Sequence, residues 1–218
     1  MMSNLGGFID QKISAIPEDC DLPNLLNLFL AITQSQSFVI SIPILVTWTR
    51  LIRSETIGGS PTINPLIAPL LELCSSRLIR YENVPEDSDD PSMLFLVEDI
   101  DTVPGRHAFL GNYRRYSIQV IELIVRQKQS DAIYHILTQV DNALHNLYHD
   151  QPPFACTCYH TSSWTLLTFA VETYSKTSMA VLRVDAQFTV VEAALKGYMK
   201  WRSTHGSKPQ QDVNSHLT

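Results

Sequence analysis

"SFVISIPILVTWTRLIRS", Ser37 to Ser54, is the most apolar run in the chain and carries Pro43 inside it. It can be a membrane span, a buried strand or a helix with a wide apolar surface, and each choice gives a different kind of protein. Its uncharged part runs from Ser37 to Thr49 and is closed by Arg50 and Arg53, whereas a span needs about 20 mainly apolar residues. Length excludes the membrane. The β-branched Val39, Ile40, Ile42, Ile44, Val46, Thr47, Thr49 and Ile52 favour a strand, but Pro43 cannot donate to a central ladder. As a helix the run starts at a good cap, Ser37, and carries Phe38, Ile42, Leu45, Trp48 and Ile52 at spacings of three or four. The expectation is a helix kinked near Pro43, where one backbone hydrogen bond is lost.

Its neighbours repeat the pattern. Leu22, Leu25, Leu26, Phe29 and Ile32 form an apolar face, with Asp21 as cap and Pro23 in the first turn, where its missing N–H costs little. After a loop containing Gly58, Gly59 and Pro61, Asn64 and Pro65 open a third helix carrying Leu66, Leu70, Leu71, Cys74 and Leu78. Tyr113, Tyr116, Val120, Ile121 and Ile124 mark a fourth. Ile133, Ile136, Leu137, Val140, Leu144 and Leu147 mark a fifth, separated from the fourth by Ser130 and Asp131, read as its cap and first-turn charge. Phe188, Val191, Leu195 and Tyr198 give the apolar face of a sixth, which ends before Gly206. Short links such as Gln34 to Gln36 make sequential helices antiparallel neighbours. The fold class expected is all-α, antiparallel helical hairpins stacked as a short HEAT-like solenoid. The absence of a strict repeat consensus leaves a compact bundle as the alternative.

With 218 residues, 44% of them hydrophobic, the chain can bury a sizeable interior. A formal charge of −6 gives no general attraction for phosphate backbones. Cys20, Cys74, Cys156 and Cys158 lack the spacing of a disulfide framework and fit a reducing compartment. The start, "MMSNLGGFIDQKISAIPEDCDLP", has no basic segment followed by an apolar run and does not resemble a secretory signal. A nuclear or cytosolic location is expected.

The charge is unevenly spread. Tyr81 to Gly105 holds eight acidic residues and no Lys or Arg, leaving 14 acidic against 16 basic residues elsewhere. An acidic loop of this kind attracts a basic partner surface, which makes Glu86, Asp87, Asp89 and Asp90 candidate partner-binding residues. Its short apolar run, Met93 to Val97, is expected to tuck the loop against the helices. Arg114 and Arg115, set between Tyr113 and Tyr116, form an aromatic and basic cluster of the kind that contacts RNA. These two complete the candidate set, although tyrosines at helical spacing are more often core.

Motifs for chemistry are missing. "IGGSPT" precedes no Gly-Lys-Ser/Thr phosphate loop, no serine sits in a Gly-x-Ser-x-Gly setting, and "EDSDDPSMLFLVED" lacks the glycine and ligand spacing of an EF-hand. His145 and His149 share a helix face without the glutamate of a zinc hydrolase, and "CTCYH", with Cys156, Cys158 and His160, has one-residue gaps unlike zinc spacings. No catalytic residue, metal or cofactor is expected.

Three segments carry a family resemblance: "SFVISIPILVTWTRLIRS", "LLELCSSRLIRYENVPEDSDDPSMLFLVEDIDTVPGRHAFLGNYRRYSIQVIE" and "VVEAALKGYMKWRS". They resemble an internal part of the exportin-5-type karyopherins of the importin-β superfamily, in a fungal version, over most of residues 17 to 154 and 174 to 211. The resemblance implies a superhelix of HEAT repeats that wraps export cargo, protein or structured RNA, together with Ran-GTP, and moves between nucleus and cytoplasm. Full receptors of that family are several times longer, and the amino-terminal repeats that make the main Ran contact have no counterpart here, so no residue is assigned to Ran. The organisation expected is an irregular segment 1–16, helical repeats 17–154 with the acidic loop 81–105, an atypical insert 155–173, a helical segment 174–206 and a disordered tail 207–218. Within the insert, "CTCYHTSSWTLLTFAVE" breaks the family-like flow and reads as a translated intron. The whole reads as a truncated receptor, binding partners without catalysis, or else as an independent helical adaptor or a nonfunctional fragment. Such a piece exposes its end repeats and is expected to aggregate when expressed alone.

Overall fold

The computed structural model describes residues 21–84, 89–146 and 179–205. Among them are eight α-helices and no strand: α1 (Leu22–Thr33), α2 (Phe38–Arg53), α3 (Glu55–Gly58), α4 (Asn64–Ser76), α5 (Pro91–Asp99), α6 (Val103–Gln127), α7 (Gln129–His145) and α8 (Met179–His205). The expected segments 1–16, 155–173 and 207–218 lie outside the described residues.

The run that opened the question is α2. Its cap is Ser37, whose hydroxyl accepts from the Ile40 N–H. Pro43 sits inside the helix, and Val39, four residues earlier, where the missing bond would have ended, is on the exposed side. Phe38, Ile44, Leu45, Trp48, Leu51 and Ile52 are buried, a broader surface than one partner helix would cover. Trp48 packs edge-on to Phe29 of α1, 6.3 Å between ring centroids, and donates its indole N–H to Thr33 Oγ1 at 3.1 Å.

The long helices pair as α1/α2, α4/α6 and α7/α8, and the pairs stack in order. One layer holds α1, α4 and α7; the other holds α2, α6 and α8. In the second layer the helices run parallel: Ser41 near the start of α2 bonds Tyr113 in the first half of α6 at 2.8 Å, while Arg53 at the end of α2 borders a groove with Leu123 and Arg126 at the end of α6. Partners within a pair run antiparallel, as Ile133 to Leu137 of α7 face Val191 to Tyr198 of α8 and Gln139 to Ala143 face Arg183 to Gln187. Like helices stacked on like helices make this a short α-solenoid rather than a closed bundle.

Three boundaries and one helix face differ from expectation for identifiable reasons. The acidic stretch is not a loop throughout: Asp90 caps α5, Pro91 opens it, and Met93 and Leu96 bury against the stack while Leu94, Phe95 and Val97 stay exposed. The fourth helix, marked by Tyr113 to Ile124, reaches back to Val103, into the stretch 81–105 expected as loop, because Thr102 caps it and Pro104 suits its first turn. Ser130 and Asp131 do not separate α6 from α7; Lys128 alone does, and both residues lie in the first turn of α7. The face of α8 that packs on α6 is Leu182, Ala186, Val190, Ala193 and Gly197, whereas Phe188 and Leu195 point outward. Small residues there let two backbones approach, so the packed face carries less hydrophobic signal than the exposed one.

Candidate partner-binding surface

Of the acidic candidates, Glu86 and Asp87 lie outside the described residues. Asp89 is exposed. Asp90 is half-buried, and its Oδ1 accepts from the N–H groups of Ser92 at 2.9 Å and Met93 at 3.2 Å. Its charge therefore also serves the N-terminus of α5. At the other end of α5, Asp99 accepts a hydrogen bond from the Ser37 hydroxyl at 2.8 Å, which ties the acidic stretch to the cap of α2.

The two arginine candidates part company on α6. Arg114 is half-buried and pairs with Glu82 at 2.6 Å across to the 3-10 turn Tyr81–Asn83. Arg115 is exposed and lies over the ring of Tyr116, 5.0 Å from its centroid. Tyr113 is fully buried between Phe38 and Phe109, with ring centroids 4.9 Å and 6.2 Å away. Burial pushes its phenol above the ordinary range, opposed by the bond to Ser41.

A buried polar centre anchors this surface and was not singled out from sequence. Arg77 follows α4 and is nearly buried. Its guanidinium donates to the Ser35 carbonyl at 2.6 Å and to Ser92 Oγ at 3.3 Å, and lies 4.6 Å from the centre of the Phe38 ring. One side chain thus joins the α1–α2 turn, α4 and α5. Beside it, burial raises the Tyr81 phenol, with Asp90 adding to the rise. Burial also pushes the Cys74 thiol up to about 12, against the lowering effect of Arg77. A thiol so placed is packing, not a nucleophile.

Two grooves cross the seams between pairs, the first mainly polar and the second mainly apolar with a polar rim. One, of about 240 Å³, is lined by Arg53 of α2, Gln119, Glu122, Leu123 and Arg126 of α6, and Lys200 of α8, with Lys200 paired to Glu122. Its cations sit near helix C-termini, where they also complement the helix dipoles. The other, of about 260 Å³, is flanked by Ser75, Gln139, Asn142, Arg183 and Gln187. Residues so distant in sequence gave no local motif.

Among the described residues no group of three or more His, Cys, Asp or Glu is placed to hold a metal ion. His145 Nδ1 lies 2.9 Å from the Asp141 carbonyl oxygen; His149, Cys156, Cys158 and His160 lie outside the described residues. No described helix is long and apolar enough to cross a membrane. The arrangement offers charged grooves and exposed helix faces for binding.

Comparison with known proteins gives two findings. The model of the Exportin-5 family matches residues 1–217. An uncharacterised Schizosaccharomyces pombe protein, C328.01c, is 25% identical over 187 residues, which cover 84% of this chain and 14% of that protein. The chain thus spans a small part of the length of that relative.

Proposed function

Because the chain belongs to the Exportin-5 family, we propose that it is a partner-binding segment of a nuclear export receptor. It works by presenting HEAT-type helix faces to export cargo, protein or structured RNA, in a Ran-GTP-dependent cycle between nucleus and cytoplasm. The observation that carries this reading is the family match along nearly the whole of a chain whose described residues form a stack of helical pairs. The residues assigned to partner contact are Glu86, Asp87, Asp89 and Asp90 of the acidic stretch and Arg114 and Arg115 of α6. Exposure of Asp89 and Arg115 supports direct contact, and the Arg114–Glu82 pair supports a role in fixing the surface between them.

The test is binding of the immobilised 218-residue protein to Ran loaded with GTP or GDP, with and without a structured RNA or a purified nuclear protein pool. Retention of cargo on the helix faces is the expected result, and Ran retained with it should be in the GTP form. Loss of both Ran and cargo would remove the transport reading and leave a helical adaptor or a nonfunctional fragment.

A further inference from the structure

Gln119, Glu122, Leu123 and Arg126 recur on α6 at i, i+3, i+4 and i+7, so they share one helix face. This face floors the groove of about 240 Å³ that Arg53 of α2 and Lys200 of α8 border from either side. All three stacked pairs contribute to it, so the groove crosses the second layer and is not on an end of the stack. It lies at the far end of α2 from Ser37, whose hydroxyl meets Asp99 of the acidic stretch. The groove is therefore separate from the contact residues assigned above.

Its charges do not balance. Arg53, Arg126 and Lys200 line it against a single acid, Glu122. Glu122 is already engaged, since its side chain is only 15% exposed and pairs with Lys200. Arg53 and Arg126 are exposed, and among the described residues neither is in an ion pair. Both lie in the last turn of their helices, where the carbonyl ends supply about half a negative charge each. Two free guanidiniums against two such ends leave an excess of about one positive charge. One bound carboxylate balances it, and the planar fork of arginine donors matches that group. The groove is below the roughly 300 Å³ at which small-molecule sites begin, a size for one side chain. The chain as a whole carries −6, which opposes a long polyanion laid along it. A single acidic side chain meets mainly the charges within a Debye length, about 10 Å. We propose that this groove binds an aspartate or glutamate side chain from an acidic segment of a protein partner, held by Arg53 and Arg126.

Fluorescence anisotropy of a short labelled peptide of Glu, Leu and Ser, titrated with the 218-residue protein at low ionic strength, tests this. Neither Ran nor cargo takes part, so the result stands apart from the transport reading. Binding is expected, and it should disappear when every Glu of the peptide is replaced by Gln. Arg53→Gln and Arg126→Gln should each weaken it about twofold to fivefold, the scale of one exposed charge contact, and should weaken it further together. Arg126→Lys, which keeps the charge without the fork, should fall between the parent and Arg126→Gln. Lys196→Gln, on α8 outside the groove, should leave affinity unchanged, and helical circular dichroism should be the same in every variant. Affinity indifferent to both arginines, or reduced as much by Lys196→Gln, would overturn the proposal and leave Arg53 and Arg126 as complements of their helix ends. An RNA hairpin that displaces the peptide and depends on the same two arginines would also overturn it, giving the groove to phosphate.

Discussion

Gly197 of α8 lies directly against the Glu122 carbonyl of α6: a Cβ on it would stand 2.6 Å from that oxygen and 3.0 Å from Val125 Cβ. The obstacle is mainly backbone, so it cannot swing aside. Gly197→Ala should lower stability by about 1–3 kcal/mol despite the better helix propensity of alanine. Gly111 of α6 supplies the control, since nothing lies within 4 Å of a Cβ there. Gly111→Ala should stabilise by about 0.5–1 kcal/mol. Urea midpoints measure both, and equal shifts in the two variants would contradict the close approach of α8 to α6.

Thr33 and Trp48 form the polar joint of the first hairpin. The Thr33 hydroxyl donates to the Phe29 carbonyl at 2.6 Å and accepts the indole N–H of Trp48 at 3.1 Å, and both residues are fully buried. Thr33→Val keeps the shape but strands a buried donor, which costs about 1–3 kcal/mol. Trp48→Ala should cost about 3–5 kcal/mol, because it also leaves a cavity. Denaturant titration should rank the variants in that order; a Thr33→Val protein as stable as the parent would show that the indole finds another acceptor.

What was legible in the sequence follows from where the information is stored. Ser37, Asp21 and Pro23 announced the starts of α2 and α1 because caps act within one turn, and the apolar periodicity of α2 is strong. The face of α8 is half legible: Val191 and Tyr198 border α7, but packing on α6 uses Ala186, Ala193 and Gly197, whose smallness is the useful property, while Phe188 supplies a stronger periodic signal on the open side. Among the candidate binding residues, Arg114 and Asp90 carry structural partners that only the folded chain brings near: Glu82 across a turn, and the free N–H groups of α5. Arg77 left no trace at all, since its partners Ser35 and Phe38 lie about 40 residues before it and Ser92 lies in the helix that follows.

Alkaline pH should unfold the chain through its buried acids. The Cys74 thiol is raised from 9.0 to about 12, and the phenols of Tyr81 and Tyr113 are raised as well, in each case first by burial. The unfolded chain therefore releases these protons before the folded one does. Their contribution to stability is complete below the unfolded value and is lost as pH rises through the folded one. Stability should fall between about pH 9 and pH 12. Cys74→Ala should flatten the start of that fall while costing packing at neutral pH. In the folded protein at pH 8, Cys74 should resist alkylation by iodoacetamide and react on unfolding, as peptide mass mapping would show; rapid native labelling would contradict its burial.

Asp89 and Asp90 are adjacent acids with separable duties. Asp90 accepts from two N–H groups at the start of α5, so Asp90→Ala should cost about 1 kcal/mol of stability. Asn, which also caps, should recover most of that loss. Asp89 is exposed and no cap bond depends on it, so Asp89→Ala should leave the urea midpoint within about 0.5 kcal/mol of the parent. If the acidic stretch attracts a basic partner, Asp89→Lys should weaken binding of a Lys/Arg-rich probe peptide several-fold at low salt. The difference should shrink as ionic strength rises, because exposed charges are screened. Asp90→Asn should lower the same binding while sparing the fold, which separates charge from capping. Unchanged affinity in both Asp89→Lys and Asp90→Asn would show that this stretch serves only to seat α5 against the first hairpin.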